Sequence, residues 1–247
     1  MTTNQPPASA ARAEAAVKIY GSGGAAVRAL DGVDVAFAAG RFSAIMGPSG
    51  SGKSTLLHCL AGLDQVTSGE VFLGDIALRT LADRELTILR RERVGFVFQA
   101  YNLIPTLNAA ENITLPLSIA DRKPDPDWYE EVIRILRLGD RLDHRPSELS
   151  GGQQQRVAVA RALVSRPDII FADEPSGNLD SNSGAELLGF LRSAVDDLGQ
   201  TIIMVTHDPN AASYSDRIVF LHDGKVAAEM TEPTADRILD QMKTLEF

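Results

Sequence analysis

One cysteine, one tryptophan and four histidines are all that 247 residues contain of those types, and aromatic residues make up only 6%. Cys59 has no partner for an intramolecular disulfide, so the fold is not stapled by sulfur and a reducing compartment fits. Cys59 is expected to be a small buried hydrophobe. His58, His144 and His222 have no companions at ligand spacing and are read as structural. No apolar run approaches the roughly 18 residues that span a bilayer. Basic excess is missing too: 24 Lys and Arg against 33 Asp and Glu give a net charge of −9. That balance argues against a broad surface for nucleic acid or anionic lipid. Residues 1–16 have neither the basic start nor the apolar core of a secretory leader. Rich in Ala, Pro and Thr, they are expected to form a flexible tail on a cytoplasmic protein.

What the chain does have is glycine set to a pattern. Gly47-Pro48-Ser49-Gly50-Ser51-Gly52-Lys53-Ser54-Thr55 lies between an apolar strand, Phe42–Met46, and a helical pattern in which Leu56, Leu57, Leu60 and Leu63 share a face. The stretch satisfies G-x-x-x-x-G-K-[ST] in full. Its backbone N–H groups and the helix N-terminus face phosphates, Lys53 reaches the terminal ones, and Ser54 can ligate Mg2+. Gly50 and Gly52 permit conformations and approach distances that a Cβ would obstruct. In an acidic chain the nucleotide must be held by these local groups and a metal.

The remaining pattern is α/β. Residues 17–37 read as short strands joined by the turn at residues 21–24, an antiparallel edge region, with Tyr20 either stacking on a base or serving as an ordinary strand aromatic. Residues 69–75 suggest another strand and turn. Residues 78–93 form a charged helical region whose Arg90, Arg91 and Arg93, interleaved with Glu85 and Glu92, read as a solvated face. The strand at residues 94–98 delivers Gln99 to its end, where open α/β sheets bind ligands. Residues 100–165 read as an inserted helical subdomain, with a helix start at Asn108 and Glu111, a break at Pro124 and Pro126, and Trp128 in local core. Tyr101, Leu103, Ile104 and Pro105 are either core of that lobe or a docking surface. Ser150 and Gln153 make an S-x-x-Q capping box, which is either a capped helix alone or, with Gly151 and Gly152, a second anion site. The buried strand at residues 169–172 ends in Asp173 and Glu174, which are either only a turn or, given the phosphate loop, one carboxylate for Mg2+ or its water and one as general base. Residues 201–206 form one more buried strand, with His207 at its end. A hairpin turns at Asp223-Gly224, and residues 231–247 form an amphipathic helical tail.

Together these residues resemble the nucleotide-binding subunit of ATP-binding cassette (ABC) transporters, from about residue 17 to residue 228. The resemblance implies an ABC ATPase fold. Residues 17–99 and 166–230 would be a RecA-like P-loop NTPase core with a mostly parallel sheet and an antiparallel β region, and residues 100–165 the helical subdomain. It also implies roles. Tyr20 would be the adenine-stacking aromatic, residues 47–55 the Walker A loop, and Gln99 the Q-loop glutamine facing ATP and Mg2+. Leu149 through Gln153 look like the LSGGQ signature, residues 169–173 like Walker B, Glu174 like the catalytic glutamate, residues 176–180, ending in Asp180, like the D-loop, and His207 like the switch histidine. Two copies would meet head to tail, with Ser150, Gly151 and Gly152 of one closing over ATP on the other.

Finer wording in residues 98–107, 111–117 and 174–181 looks like the MacB, LolD and FtsE ATPases, which partner membrane permeases carrying extracytoplasmic domains. Small departures from that pattern are Arg41 for the usual Glu, Ser176 for Thr and Asn108 for Thr. The expectation is an ATPase, attached to the inner face of the membrane through a permease and driving lipoprotein, peptide or drug movement. An FtsE-like alternative moves no cargo and regulates a cell-wall hydrolase. A soluble ABC ATPase of DNA repair or translation is disfavoured, since there is one cassette, no long coiled-coil insertion, no tandem copy with a linker and an acidic balance.

Overall fold

The computed structural model describes residues 9–245. Along the chain run β1 (Ser9–Tyr20), β2 (Val27–Ala38), β3 (Phe42–Met46), α1 (Lys53–Leu60), β4 (Ser68–Leu73), β5 (Ile76–Ala77) and α2 (Asp83–Arg93). Next come β6 (Val94–Phe98), α3 (Ala109–Ile119), α4 (Pro126–Ile135), α5 (Gly151–Leu163) and β7 (Ile169–Asp173). The chain continues through α6 (Ser181–Asp196), β8 (Ile202–Val205), α7 (Pro209–Ala212), β9 (Arg217–His222), β10 (Lys225–Thr231) and α8 (Ala235–Thr244).

Two sheets result. The larger has the order β10-β9-β3-β8-β7-β6, parallel throughout except for the antiparallel edge strand β10. Its central strands are apolar on both sides because both sides are covered. In β7, Ile170 and Ala172 pack with α3, α4, α5 and α6, while Ile169 and Phe171 pack with α1 and the second sheet. β8 divides in the same way, Ile202 and Met204 to one side and Ile203 and Val205 to the other. The smaller sheet is antiparallel, in the order β2-β1-β4-β5. Helix α1 lies between the sheets, and its Leu56, Leu57, Cys59 and Leu60 are all buried there. Burial pushes the Cys59 thiol up to about 12, in keeping with an inert core side chain.

The flexible tail expected for residues 1–16 does not reach residue 16. Residues 9–16 are the first part of β1, paired with β2 on one side and β4 on the other, and Ala11, Ala13 and Ala16 are fully or nearly fully buried. A run of alanine carries little strand signal, yet a small side chain fits where β1 crosses the core and the ladder satisfies its backbone. Residues 1–8 of that expected tail lie outside the described residues. At the other end, the helical tail is α8, seated on the large sheet through a fully buried Ile238 that packs with Ala212, Ile218 and Phe220. Its last two residues, 246–247, lie outside the described residues.

Local signals placed several elements. Asn108 caps α3 by accepting from the Glu111 N–H, and the Glu111 carboxylate accepts from the Asn108 N–H, both at 2.8 Å. Asp125 caps α4, and Trp128 tucks into the helical core with its indole N–H on Leu163 O. Arg90 departs from the solvated reading: it donates to Gly62 O and ties α2 to the turn after α1. The β9–β10 hairpin turns on Asp223 and Gly224, both at positive φ, which suits a two-residue loop between twisted strands.

Candidate active site

Strands β3, β7 and β8 run parallel, so their C-terminal ends share one edge of the sheet. The phosphate loop follows β3, Asp173 ends β7 with Glu174 next, and Thr206 and His207 follow β8. A cavity of about 320 Å³ opens there, lined by Ser49, Gly50, Gly52, Lys53, Ser54 and Thr55 of the loop, by Ala29 and by Glu174.

The loop is locked by close backbone approach. Gly47 has φ 153°, and a Cβ on it would stand 2.1 Å from Leu221 O and 2.7 Å from Ser51 Oγ. At Gly52, φ 98°, a Cβ would meet Ala29 O at 2.3 Å. Gly50, also at positive φ, faces open space, so conformation alone favours glycine there. The hairpin turn supports the loop from behind, Gly224 N–H donating to Ser51 O and Asp31 N–H to Gly224 O. Ser51 Oγ is buried with no hydrogen-bond partner, and Pro48 O accepts from both Ser51 N and Lys53 Nζ, the latter at 2.7 Å. Burial lowers the Lys53 pKa, with the nearby Glu174 and Asp173 carboxylates opposing it. The ammonium is held by a neutral carbonyl.

Ser54 Oγ donates to Asp173 Oδ1 at 3.1 Å. Two hard oxygen donors facing each other at the edge of the cavity fit Mg2+, which is bound by one or two carboxylates plus phosphate and water. Among the described residues no three His, Cys, Asp or Glu side chains gather as a metal cage. His58, read as structural, stands behind this pair with Nε2 3.9 Å from Asp173 Oδ2.

Glu174 is held tightly. Its φ of 48° is left-handed, a conformation that costs a non-glycine residue about 1–3 kcal/mol. Hydrogen bonds from its N–H to Val205 O and from Gly177 N–H to its own C=O pin that backbone. His207 Nδ1 lies 2.8 Å from Glu174 Oε1, so an ionised carboxylate selects the tautomer with the proton on Nδ1. The carboxylate is mostly covered and the imidazole mostly exposed. The other carboxylate oxygen, Oε2, takes no part in that bond.

Other predicted residues stand elsewhere. Gln99 follows β6 and donates from Nε2 to Asn178 Oδ1 at 3.1 Å, while Asn178 Nδ2 donates back to Gln99 O, so its amide is engaged away from Ser54 and Asp173. Asp180 caps α6, accepting from the N–H groups of Asn182 and Ser183 and from Ser183 Oγ; the Ser183 bonds hold its carboxyl below the usual range. Ser150 and Gln153 form the expected box at the start of α5. Gly151 approaches the Tyr101 hydroxyl and Gly152 approaches Ser183, so this N-terminus is not part of the cavity around Lys53. Tyr20, at the end of β1, is 41% exposed and hydrogen-bonded to Asp64.

Gln155 escaped the sequence reading. It is fully buried, and its Nε2 donates to Phe98 O at 3.2 Å and Pro175 O at 2.8 Å, joining the helix after the signature to the backbone beside Gln99 and beside Glu174. The only sequence signal was a polar residue at a core position of α5, between Ala158 and the cap. Arg161 adds a second tie by donating to Tyr101 O and Asn102 O. In the apolar loop, Leu103 packs into the helical core and Ile104 remains 38% exposed.

Comparison with known proteins agrees with this geometry. The profile of the ABC transporter family matches residues 30–177. The ABC transporter ATP-binding protein MJ0796 of Methanocaldococcus jannaschii is 45% identical over 218 residues, 86% of this chain and 93% of that protein. Its solved dimer, in a post-hydrolysis state bound to ADP and Pi, superposes with a TM-score of 0.80 over 91% of this chain and 99% of that one. The lipoprotein-releasing system ATP-binding protein LolD 1 of Rhodospirillum rubrum is 42% identical over 90% of this chain and 99% of its own length. The macrolide export ATP-binding/permease protein MacB of Brucella melitensis is 46% identical over 90% of this chain, which spans 34% of that longer protein. With the fold, the phosphate loop and these similarities in agreement, the chain belongs to the ABC transporter family, as its ATP-binding and ATP-hydrolysing cassette.

Proposed function

We propose that this cassette works as a head-to-tail pair of identical subunits that drives a membrane permease of the MacB or LolD kind. The carrying observation is that the cavity of Lys53, Ser54 and Glu174 includes no residue of the capped signature N-terminus at Ser150. One chain therefore presents two unlike half-sites, and a second copy joins them. That MJ0796 was solved as a dimer, and that LolD and MacB relatives are named for release and export, supports the reading.

In this scheme Tyr20 stacks on the adenine and residues 47–55 cradle the phosphates. Ser54 and Asp173 would hold Mg2+, which when bound would neutralise charge at the phosphate oxygens. Lys53 exchanges Pro48 O for phosphate. Glu174, with Oε1 fixed by His207, takes a proton from the water that attacks the terminal phosphorus, and ADP departs. Gln99 would exchange its pairing with Asn178 for the bound nucleotide site, so the Q-loop and the D-loop would respond together. Ser150, Gly151 and Gly152 of the second copy close over the phosphates, and Asp180 lies on the same seam. The permease docks at the groove of about 280 Å³ beside edge strand β6, lined by Phe96, Phe98, Asn102 and Arg161, and in this reading the cassette sits on the cytoplasmic face of the membrane through that partner.

Glu174→Gln tests the scheme. It keeps the side chain's shape and removes the base, so the variant is expected to bind ATP, lose hydrolysis by at least about 100-fold and elute as a dimer with MgATP. Hydrolysis at the parental rate would show that the base lies elsewhere. Purifying the trapped variant from membranes and identifying the co-purifying protein checks the partner. A soluble ribosomal or repair protein in place of a permease would overturn the transport reading.

A further inference from the structure

Tyr20 is held by its hydroxyl. Its Oη donates to Asp64 Oδ2 at 2.6 Å, and Lys18 Nζ donates to Asp64 Oδ1 and to Gln65 O. The Lys18 ammonium also stands over the Tyr20 ring, 4.8 Å from its centre. Asp64 lies in the turn after α1, where its N–H bonds His58 O. Two bonds on neighbouring residues fix the strand end to the same turn: Ile19 N–H to Thr67 Oγ1 and Thr67 N–H to Val17 O. The end of β1 is thus tied to the turn that closes the helix leading from the phosphate loop. An exposed tyrosine at a strand end is ordinarily free to sample rotamers. Here the hydroxyl is anchored, one face lies under a cation, and the residue as a whole is still 41% exposed.

We propose that Lys18, Tyr20 and Asp64 form a preset, one-sided platform for the nucleotide base, with Asp64 a positioning residue that fixes the Tyr20 ring and Lys18 covering the face the base does not use. This rests on the reading that Tyr20 meets the base. The physical gain is preorganisation: the ring's freedom is lost when the protein folds and not when the nucleotide binds. The ionisation of the pair agrees with the geometry. Burial and the Asp64 hydrogen bond raise the Tyr20 hydroxyl above its usual 10.0. Burial alone would raise Asp64, but the bonds from Lys18 and Tyr20 outweigh it and hold the carboxyl below its usual 3.8. The Tyr20 phenol stays protonated, and the Asp64 carboxylate stays charged to receive it.

The experiment compares binding of MgATP and of magnesium tripolyphosphate, which has no base, to the full chain and to Tyr20→Ala, Tyr20→Phe and Asp64→Ala. Tyr20→Phe keeps the ring and loses the anchor. It and Asp64→Ala are each expected to raise the ATP Kd about 2- to 10-fold, the range of immobilising one side chain. The double variant Tyr20→Phe/Asp64→Ala should be no weaker than either single one, because both remove the same bond. Tripolyphosphate affinity should stay within about twofold throughout. Asp64→Ala should also lower the ionisation midpoint of one of the four tyrosines, read by ultraviolet difference absorbance. If Tyr20→Ala leaves the ATP Kd unchanged, the stacking reading itself fails and the platform with it. If Tyr20→Ala weakens ATP but Tyr20→Phe and Asp64→Ala do not, stacking stands and the positioning role is overturned. An equal loss of tripolyphosphate binding in Asp64→Ala overturns it too, since Asp64 would then act on the phosphate loop.

Discussion

Replacing Gln155 with methionine tests a buried tie that no motif announced. Methionine has nearly the same length and volume, so the core stays filled and the change isolates the hydrogen bonds. The variant leaves Pro175 O and Phe98 O without their donor; an orphaned buried acceptor costs about 1–3 kcal/mol. The Pro175 bond is the shorter and fully buried, so it is assigned about 2 kcal/mol, and the half-buried Phe98 bond about 1. Gln155 Oε1 is itself buried without a partner, and its removal returns about 1 kcal/mol. The net loss is about 2 kcal/mol. With a urea m-value of about 2 kcal/mol/M, the unfolding midpoint should fall by about 1 M at unchanged m. ATP affinity should stay near the parental value because no phosphate-loop bond is touched. Turnover should fall, since the backbone beside Gln99 and Glu174 loses the Gln155 bonds to α5, leaving the Arg161 tie at Tyr101 and Asn102. A midpoint within about 0.2 M of the parent, together with full turnover, would refute the assignment of Gln155 as a tie.

Three further outcomes follow from the same geometry. Gly47→Ala puts a methyl 2.1 Å from Leu221 O at a backbone angle foreign to alanine; nucleotide binding by isothermal titration should be lost and the melting temperature lowered. Ser150→Arg should leave the ATP Kd of the monomer within about twofold while abolishing the MgATP-dependent dimer on gel filtration; an intact dimer would sink the shared site. Asp64, whose folded pKa lies below its unfolded value of 3.8, contributes stability that is present above pH 3.8 and lost as pH falls through the folded value. The stability gap between parent and Asp64→Asn should therefore be constant near neutral pH and close in that acid window. A gap that persists below it would mean that packing, not charge, is responsible.

Much of the candidate site was legible because its residue patterns are written in short spacings. A phosphate loop needs glycines and a lysine within nine residues. The capping boxes at Asn108 and Ser150 act across three residues. The Asp223-Gly224 turn closes a hairpin between adjacent strands. Such codes operate through neighbouring backbone groups, and tertiary context has little room to override them. The β1 extension was not legible, because alanines at residues 10, 11, 13, 15 and 16 carry no strand signature until β2 and β4 are placed beside them.

The sequence by itself determined the phosphate cradle, the adjacent carboxylates after a buried strand, the strand and helix periods and, through them, the family. Tertiary structure alone decided what meets what. Glu174 and His207 are 33 positions apart and come within 2.8 Å only because β7 and β8 are parallel neighbours. Gly47 is indispensable because Leu221, on the next strand of the sheet, brings its carbonyl against it. Gln99 turns to Asn178, Gln155 bridges two loops, and Tyr20 is anchored by a turn 44 residues away. These are pairings across long loops, fixed by the register of a packed sheet and by the need to satisfy buried polar groups, and no local pattern of residues specifies them.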